Sequence, residues 1–304
     1  MSAPPAAQPS LVGRLKTYGA LVSFSHTVFA MPFAASAVVL AHAQPHVPLD
    51  ARRILAMLVC MVSARTSAMA WNRYLDRDVD AANPRTKSRH IPAGTVSPRE
   101  ALALTVVTGA LFLAAAATLG VVPAALAPFV LAVLLGYSYA KRVTWASHLW
   151  LGVALALAPG GAWIGVGASP GVGIVALMGA VVTWLFGFDV LYSLQDEAFD
   201  RAHGLHSVPA RFGMTRSLVL SALAHAATVA LLAITGIVLH RGPLYGVGVA
   251  ATLVLLVYEH ALVGKGNLAK IDKAFFDMNA YVSLGFFALV LADEVARMHG
   301  EALL

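Results

Sequence analysis

The chain has 304 residues, of which 59% are hydrophobic and only 12% are charged, and its mean hydropathy is +0.75. An average soluble domain carries about 25% charged residues, so this composition excludes most soluble folds. The net charge of +6 does not indicate a nucleic-acid partner, because the basic residues lie in loops between hydrophobic stretches, where they set the orientation of a membrane protein. The single cysteine, Cys60, excludes an internal disulfide and a metal site made of cysteines.

Long hydrophobic stretches alternate with short polar breaks along the chain, which is the pattern of a polytopic helical membrane protein. Each stretch is close to the ~20 residues that a helix needs to cross a bilayer. Clusters of Pro, Gly or charge mark the breaks, as in TLGVVP and GASPGVG. In chain order, membrane-spanning helices are predicted at nine places: residues 18–41, 52–75, 101–119, 122–139, 148–167, 170–193, 216–239, 243–263 and 274–296.

Lys and Arg residues are distributed unequally between the two sets of loops that these nine helices leave. One set carries sixteen of them and the other four, with Arg65 inside a predicted helix. The positive-inside rule places the richer set in the cytoplasm. We therefore predict an all-α, multi-pass protein of the cytoplasmic (inner) membrane, with the N-terminus in the cytoplasm and the C-terminus outside. Its nine helices would form one domain over residues 1–304, a bundle around a central cavity, with a disordered tail at 1–13.

The first polar motif, WNRYLDRDVDAANPRTKSRHIPAG, begins at the end of the second predicted helix. Asn72, Asp76 and Asp80 follow one another at intervals of four residues, which places them on one stripe of a helix. Carboxylate and amide oxygens on one stripe can converge on a hard cation. The stripe is therefore a candidate ligand set for a divalent metal.

The second polar motif, FDVLYSLQDEAFDRAHGLHSVPARFG, leaves the sixth predicted helix on the same side of the membrane. Asp189, Tyr192, Asp196 and Asp200 follow at intervals of three, four and four residues, again on one helical face. Two acidic stripes that face each other would repel without a cation. Mg²⁺ fits best, because it binds a few carboxylates and completes its shell with water and substrate phosphate. The alternative is a pair of solvated helix ends in contact with neighbouring arginines.

Basic residues accompany the acids on the same side, which places the active site on the cytoplasmic side. Three follow the first motif and two follow the fourth predicted helix: Arg85, Lys87, Arg89, Lys141 and Arg142. Acids and bases together predict a diphosphate site, in which Mg²⁺ neutralises some oxygens while Arg and Lys donate to others. Membrane topology alone would explain part of the same signal.

The two motifs resemble the paired signatures of the UbiA superfamily of intramembrane aromatic prenyltransferases. The first signature is NDxxDxxxD, and this chain reads NRYLDRDVD. The second is DxxYxxxDxxxD followed by GxxS, matched here by Asp189, Tyr192, Asp196, Asp200, Gly204 and Ser207. Arg73 replaces the usual Asp of the first signature, so no metal role is assigned to it, and His206 stands where Lys is common. The chain is most similar to the 4-hydroxybenzoate polyprenyltransferase-like branch, which serves ubiquinone and menaquinone biosynthesis.

The resemblance implies a Mg²⁺-dependent transfer of a polyprenyl group from a polyprenyl diphosphate to an aromatic acid, either 4-hydroxybenzoate or a hydroxynaphthoate. A long isoprenoid donor also implies a site open to the lipid bilayer. The catalytic residues would be Asp76, Asp80, Asp196 and Asp200. The metal ligands would be Asn72, Asp76, Asp80, Asp189, Asp196 and Asp200.

Two further residues are assigned to the acceptor. Arg65 lies seven residues before Asn72, two turns deeper in the membrane and on the same face, and a charge at such a depth usually faces a cavity. It would hold the acceptor's carboxylate or phenolate. Tyr192 shares a face with the second set of acids. The alternatives are an arginine that snorkels and an ordinary interfacial tyrosine.

Three other functions stay open at this point. One is transfer to another acceptor, such as a haem, homogentisate, a glycerol ether or a chlorophyllide. Another is a lyase-like reaction that ionises the same diphosphate and cyclises the chain. The third is an ion-coupled secondary transporter, although transporter sites usually lie near the midplane of the membrane, on broken helices in repeated halves. The sequence leaves the oligomeric state and the donor's chain length open.

Overall fold

The structure is a computed structural model that describes residues 17–21, 27–44, 47, 49–263 and 271–301. The tail predicted at 1–13 lies outside these residues. The helices longer than three residues, beginning at residue 27, are α1 Thr27–His42, α2 Ala51–Leu75, α3 Arg77–Ala82, α4 Pro98–Leu119, α5 Val121–Gly136, α6 Ala140–Val143, α7 Ser147–Gly165, α8 Val172–Ser193, α9 Glu197–Ala202, α10 Val208–Val238, α11 Pro243–Val263 and α12 Ile271–Glu301.

The prediction of an all-α membrane bundle is confirmed, because the described residues contain helices and loops but no strand. Within the described residues, eight helical segments are long and apolar enough to cross a membrane. The first predicted span, 18–41, falls partly outside the described residues, and its described part contains a shorter apolar helix, Ala30–His42. The chain is therefore a multi-pass membrane protein, and its organisation as one domain stays a prediction.

Capping side chains fix where several of the long helices begin. Asp50 precedes α2 and accepts a hydrogen bond from the Arg53 backbone N–H at 2.8 Å. Before α4, Ser97 and Glu100 form a reciprocal capping box, which satisfies two backbone donors that the first turn would leave unpaired. These polar caps place the start of each helix at the boundary between polar and apolar sequence.

Helix α8 is at the centre of the packing, between α7 and α10, while α2 packs against α4, and α1 against α7 and α12. Large aromatic side chains fill the core: the Phe33 ring lies 5.1 Å from that of Trp184 and 5.5 Å from that of Phe286. Close helix approach needs small residues. At Gly152 of α7, an added Cβ would lie 2.5 Å from the backbone oxygen of Val182 in α8.

A buried polar network ties four helices together at the same end of the bundle as the second acidic motif. Trp184 Nε1 donates to Asn279 Oδ1 at 2.8 Å, and Asn279 Nδ2 donates to Glu259 Oε1 at 2.7 Å. His225 contacts His260 at 3.0 Å. Because apolar surroundings offer such groups no water, their mutual hydrogen bonds fix α8, α10, α11 and α12 in one arrangement.

Candidate active site

The first acidic motif lies on a broken helix, not on the continuous stripe that its spacing predicts. Helix α2 ends at Leu75, Asp76 adopts φ −87° and ψ 2°, and the short helix α3 begins at Arg77. These angles lie in the bridge region, which helix interiors avoid. The Asp80 backbone N–H still donates to the Asp76 carbonyl at 2.7 Å, and the Asp80 side chain is buried.

The second motif repeats this arrangement. Helix α8 ends at Ser193, a 3₁₀ turn spans Leu194–Asp196, and α9 follows as another helix of six residues. Asp196 has φ −98° and ψ 0°, close to the values of Asp76. Asp200 occupies the fourth position of α9, as Asp80 does in α3, and it is also buried. Each motif therefore presents one acid at a helix break and a second acid from the short helix behind it.

The two motifs line one cavity of about 210 Å³. Eleven of the thirteen predicted site residues lie in its wall: Asn72, Asp76, Asp80, Arg85, Arg89, Lys141, Arg142, Asp189, Tyr192, Asp196 and Asp200. Lys87 and Arg65 are not among the lining residues. Lys87 is exposed on the loop, and its contact with diphosphate stays a prediction.

Each of the four acids at the helix breaks and in the short helices is paired with a basic residue that is predicted to bind diphosphate. Arg142 Nη2 lies 2.8 Å from Asp76 Oδ1, and Arg89 Nη1 lies 2.6 Å from Asp80 Oδ1. Arg85 donates to both oxygens of Asp196, at 3.1 and 2.6 Å. Lys141 Nζ lies 3.8 Å from Asp200 Oδ2. Burial raises the pKa of Asp76. The nearby Arg142 and the hydrogen bond from the Asn72 amide partly offset this rise.

Beside this cavity, the loop before α10 contacts the short helix α6, which carries Lys141 and Arg142. The His206 backbone N–H donates to the Lys141 carbonyl at 2.7 Å, and the Leu205 N–H donates to the Asp200 carbonyl at 2.8 Å. Gly204 has φ +65°, a left-handed conformation that favours glycine. Ser207 caps α10 by accepting from the Ala210 N–H at 3.3 Å. The Gly and Ser of the second motif therefore shape the loop against the acids.

A buried histidine that sequence reasoning missed contacts the cavity wall. His148 is the second residue of α7 and is fully buried, and its Nδ1 lies 2.6 Å from Asp189 Oδ2. Its Nε2 has no hydrogen-bond partner among the described residues. Asn83 and Thr86 were also missed, although both line the cavity. Asn83 Oδ1 accepts from the Arg85 N–H, and Thr86 donates to the Asp80 carbonyl.

Arg65 contributes positive charge at a deeper level of α2. It lies close enough to Arg73 for the two guanidinium groups to interact electrostatically, and Arg73 in turn interacts with Asp76 and Asp80. Arg73 Nε also donates to the Leu21 carbonyl at 3.4 Å. Arg73 therefore lies next to the acidic wall, and Arg65 lies further along α2, beyond Arg73. That Arg65 contacts an acceptor stays a prediction.

The carboxylate oxygens in the cavity are suitable ligands for Mg²⁺ that is bound together with a phosphate-bearing substrate. Asp80 Oδ2 and Asp200 Oδ2 are buried without a hydrogen-bond partner in the described structure, although Lys141 Nζ lies 3.8 Å from Asp200 Oδ2. Among the described residues, however, no three His, Cys, Asp or Glu side chains come close enough to hold one ion by themselves. Mg²⁺ commonly takes one or two carboxylates and fills its remaining positions with water and phosphate oxygens. Pairs of carboxylates match that requirement.

A larger groove of about 640 Å³ lies elsewhere, between α7, α8 and α10. Its walls are mostly aromatic and aliphatic, including Trp145, Phe186 and Phe212, and Arg216 is its one charged lining residue in the described part of the chain. A groove without carboxylates offers no metal ligands. The smaller polar cavity is therefore the candidate active site.

The fold and the cavity define a class: a polytopic membrane protein whose acids and bases meet at one end of a helical bundle, suited to a polyanionic substrate. Residues 29–285 match the UbiA prenyltransferase family. The chain belongs to this family. The resemblance to membrane prenyltransferases that the two motifs indicated is therefore confirmed.

Individual relatives agree with this membership. The chain is 30% identical over 233 residues to the 4-hydroxybenzoate octaprenyltransferase of Methylococcus capsulatus, across 77% of this chain and 79% of the relative. The apo structure of a UbiA homolog from Aeropyrum pernix K1 matches with a TM-score of 0.78 and 33% identity, over 90% of this chain and 98% of that one. A UbiA homolog from Archaeoglobus fulgidus, solved with GPP and Mg²⁺, shares the fold at a TM-score of 0.68 and 20% identity, over 92% of this chain and 99% of that one.

Proposed function

We propose that the chain transfers a polyprenyl group from a polyprenyl diphosphate to an aromatic acid, 4-hydroxybenzoate or a hydroxynaphthoate, in quinone biosynthesis. The observation that carries this proposal is the pairing of four acids with four bases in one cavity at the end of a membrane bundle. Mg²⁺ and diphosphate carry charges opposite to these acids and bases. They can therefore replace the existing partners without leaving a buried charge unpaired.

Metal binding falls to one residue in the last turn of α2, two at the helix breaks and two in the short helices: Asn72, Asp76, Asp196, Asp80 and Asp200. The bound ion would act as a Lewis acid that neutralises charge on the departing diphosphate. The use of Mg²⁺ agrees with the Archaeoglobus fulgidus homolog, whose structure holds GPP and Mg²⁺. Asp189 lies in the same wall, and its role as a further metal ligand stays a prediction.

The basic residues Arg85, Arg89, Lys141 and Arg142 would donate hydrogen bonds to the diphosphate oxygens as charge develops on them. The allylic C–O bond breaks, and diphosphate leaves with the electron pair. A ring carbon of the acceptor then forms the new C–C bond and loses its proton. Water would capture the allylic cation, so the site must exclude it. The apolar side chains of Val79, Phe199 and Leu205 in the cavity wall serve that purpose.

The acceptor assignment draws on the relatives that are named 4-hydroxybenzoate octaprenyltransferase and on charge. An aromatic acid carries a carboxylate, and Arg65 lies about two turns deeper on α2 than Arg73, with which it interacts electrostatically. Two interacting arginines favour a bound anion, because the anion relieves the repulsion between the two positive charges. We therefore assign the acceptor's carboxylate to Arg65. Tyr192 stays a candidate acceptor ligand, since it lines the cavity and its hydroxyl accepts from Arg85 at 3.3 Å.

Prenyl transfer by purified protein in detergent tests the proposal directly. The assay combines geranyl diphosphate, Mg²⁺ and 4-hydroxybenzoate or a dihydroxynaphthoate, and mass spectrometry identifies the product. We expect a prenylated aromatic acid that EDTA abolishes, and a loss of about 100-fold or more in Asp76→Asn and Asp196→Asn, because each removes a carboxylate from the charged site.

Asp78→Asn is the matched control, because Asp78 is 82% exposed and pairs with Arg77 outside the cavity wall. Its activity should equal that of the unchanged protein. Diphosphate release without a prenylated aromatic would contradict the acceptor assignment. Failure to consume any donor would contradict the whole proposal and would favour the transporter alternative.

A further inference from the structure

The position of Asp189 suggests a task that differs from that of the other cavity acids. Asp76, Asp80, Asp196 and Asp200 are paired with Arg or Lys, whereas Asp189 is hydrogen-bonded to His148 at 2.6 Å. The histidine is fully buried, whereas the Asp189 side chain stays 18% exposed and lines the cavity, so the carboxylate is held from its buried side. A short hydrogen bond in such surroundings holds a carboxylate firmly in one orientation.

Asp189 also lies deeper in the membrane than the acids of the helix breaks. It precedes Asp196 by seven residues, all of them in α8 and the 3₁₀ turn that continues it. At 1.5 Å per residue, the separation along the helix axis is about 10 Å. Both residues nevertheless line the same cavity. The cavity therefore has an outer level of paired acids and bases and an inner level at Asp189.

The proposed reaction gives these two levels different ligands. The diphosphate belongs to the outer level, where four bases lie. The carbon that is attacked is joined to the diphosphate and leads into the apolar chain, so the acceptor ring must meet it further inside. Prenyl transfer occurs at a ring carbon beside the hydroxyl, which places that hydroxyl at the level of Asp189. Tyr192, one turn above Asp189, contacts Arg85 and so marks the boundary between the two levels.

We propose that Asp189, oriented by His148, is the binding subsite for the phenolic hydroxyl of the acceptor. The carboxylate accepts a hydrogen bond from that hydroxyl, which selects hydroxylated aromatic acids and increases electron density on the neighbouring ring carbon. His148 is a positioning residue that acts through Asp189. This inference rests on the proposed function and replaces the predicted metal role of Asp189.

Binding of two aromatic acids that differ only in the hydroxyl tests the subsite. Calorimetry on the detergent-purified chain would give dissociation constants for 4-hydroxybenzoate and for benzoate. We expect about tenfold tighter binding of the hydroxylated acid, the contribution of one charge-assisted hydrogen bond. Asp189→Asn and His148→Leu should reduce this ratio to about threefold or less. His148→Asn should keep most of it, because its amide can donate from the position of Nδ1.

General damage to the fold would weaken both acids equally and leave their ratio unchanged, so the ratio separates positioning from stability. His225→Leu is the control: His225 is also buried and lies in the polar network of α10, outside the cavity wall. It should not change the ratio. An unchanged ratio in Asp189→Asn would overturn the proposal.

A second readout is Mg²⁺-dependent binding of geranyl diphosphate. If Asp189→Asn weakens it as much as Asp196→Asn does, Asp189 is a metal ligand and the proposal is wrong. Donor binding close to that of the unchanged protein supports the subsite. If the unchanged protein binds no diphosphate at all, the failure lies in the proposed function. The two failures are therefore distinguishable.

Discussion

Arg85 connects the two acidic motifs through a single side chain. It follows the first motif in sequence, yet its Nε and Nη2 donate to Asp196 of the second, and its Nη1 donates to the Tyr192 hydroxyl at 3.3 Å. A planar guanidinium presents two parallel donors, which match the oxygens of a carboxylate or a phosphate equally well. Arg85 can therefore exchange Asp196 for a diphosphate oxygen while keeping a charged partner.

Replacing Arg85 should weaken binding of the prenyl diphosphate more than binding of the aromatic acceptor. We expect Arg85→Ala to raise KM for geranyl diphosphate about tenfold, with Arg85→Lys in between, because lysine keeps the charge but loses the paired donors. Steady-state kinetics at saturating acceptor would measure this effect. Arg201→Ala is the control, since Arg201 pairs with Glu197 and does not line the cavity. Equal KM values for Arg85→Lys and the unchanged protein would show that the forked contact is not used.

At the same residue scale, the sequence predicted the acids and bases of the site but not their pairing. Spacing along one helix reveals Asp76 and Asp80, whereas Arg85 and Asp196 are 111 residues apart and meet only through the fold. His148 is a lone histidine at the start of an apolar stretch, 41 residues from Asp189. Neither residue carries a sequence signal for the other, so their contact had to come from the structure.

At the scale of elements, the helix ends agree with prediction where composition changes abruptly. The spans predicted at 52–75 and 243–263 correspond to Ala51–Leu75 and Pro243–Val263. Helix α10 begins at Val208, after the Ser207 cap and with an early Pro, but Gly213 with φ +76° and ψ 171° interrupts it. The predicted start at 216 therefore lies close to the beginning of its long second part. The breaks at Asp76 and Asp196 were missed because a spacing of four residues fits a straight helix equally well and neither break contains Gly or Pro.

The contact between α7 and α8 supports the inner level of the site, because His148 and Asp189 lie on these two helices. Gly152→Ala should lower the thermal unfolding midpoint, since its Cβ would lie 2.5 Å from the Val182 backbone oxygen and overpacking costs about 1–3 kcal/mol. Gly161→Ala in the same helix meets no atom within 4 Å and should leave the midpoint equal or higher. Thermal unfolding in one detergent compares them, and equal midpoints would contradict this close packing.

At the scale of the whole molecule, charge and chemistry lie at the same end of the bundle. The connections that carry the predicted catalytic acids and the basic residues of the cavity belong to the set with sixteen of the Lys and Arg residues, against four in the other set. Basic loops stay in the cytoplasm during insertion. A diphosphate head group cannot cross the apolar membrane core unaided, so the side on which the cavity opens decides which pool of donor the protein can use.

This orientation can be tested with two single-cysteine variants in a Cys60→Ala background. Ser88 is exposed on the loop beside the cavity, and Val121 is 84% exposed near the opposite end of the bundle. A membrane-impermeant maleimide should label Ser88→Cys only in inverted vesicles and Val121→Cys only in right-side-out vesicles. The reverse pattern would place the cavity outside the cytoplasm and contradict the positive-inside assignment. The expected pattern would mean that the distribution of basic residues both orients the chain in the membrane and opens its diphosphate site to the cytoplasm.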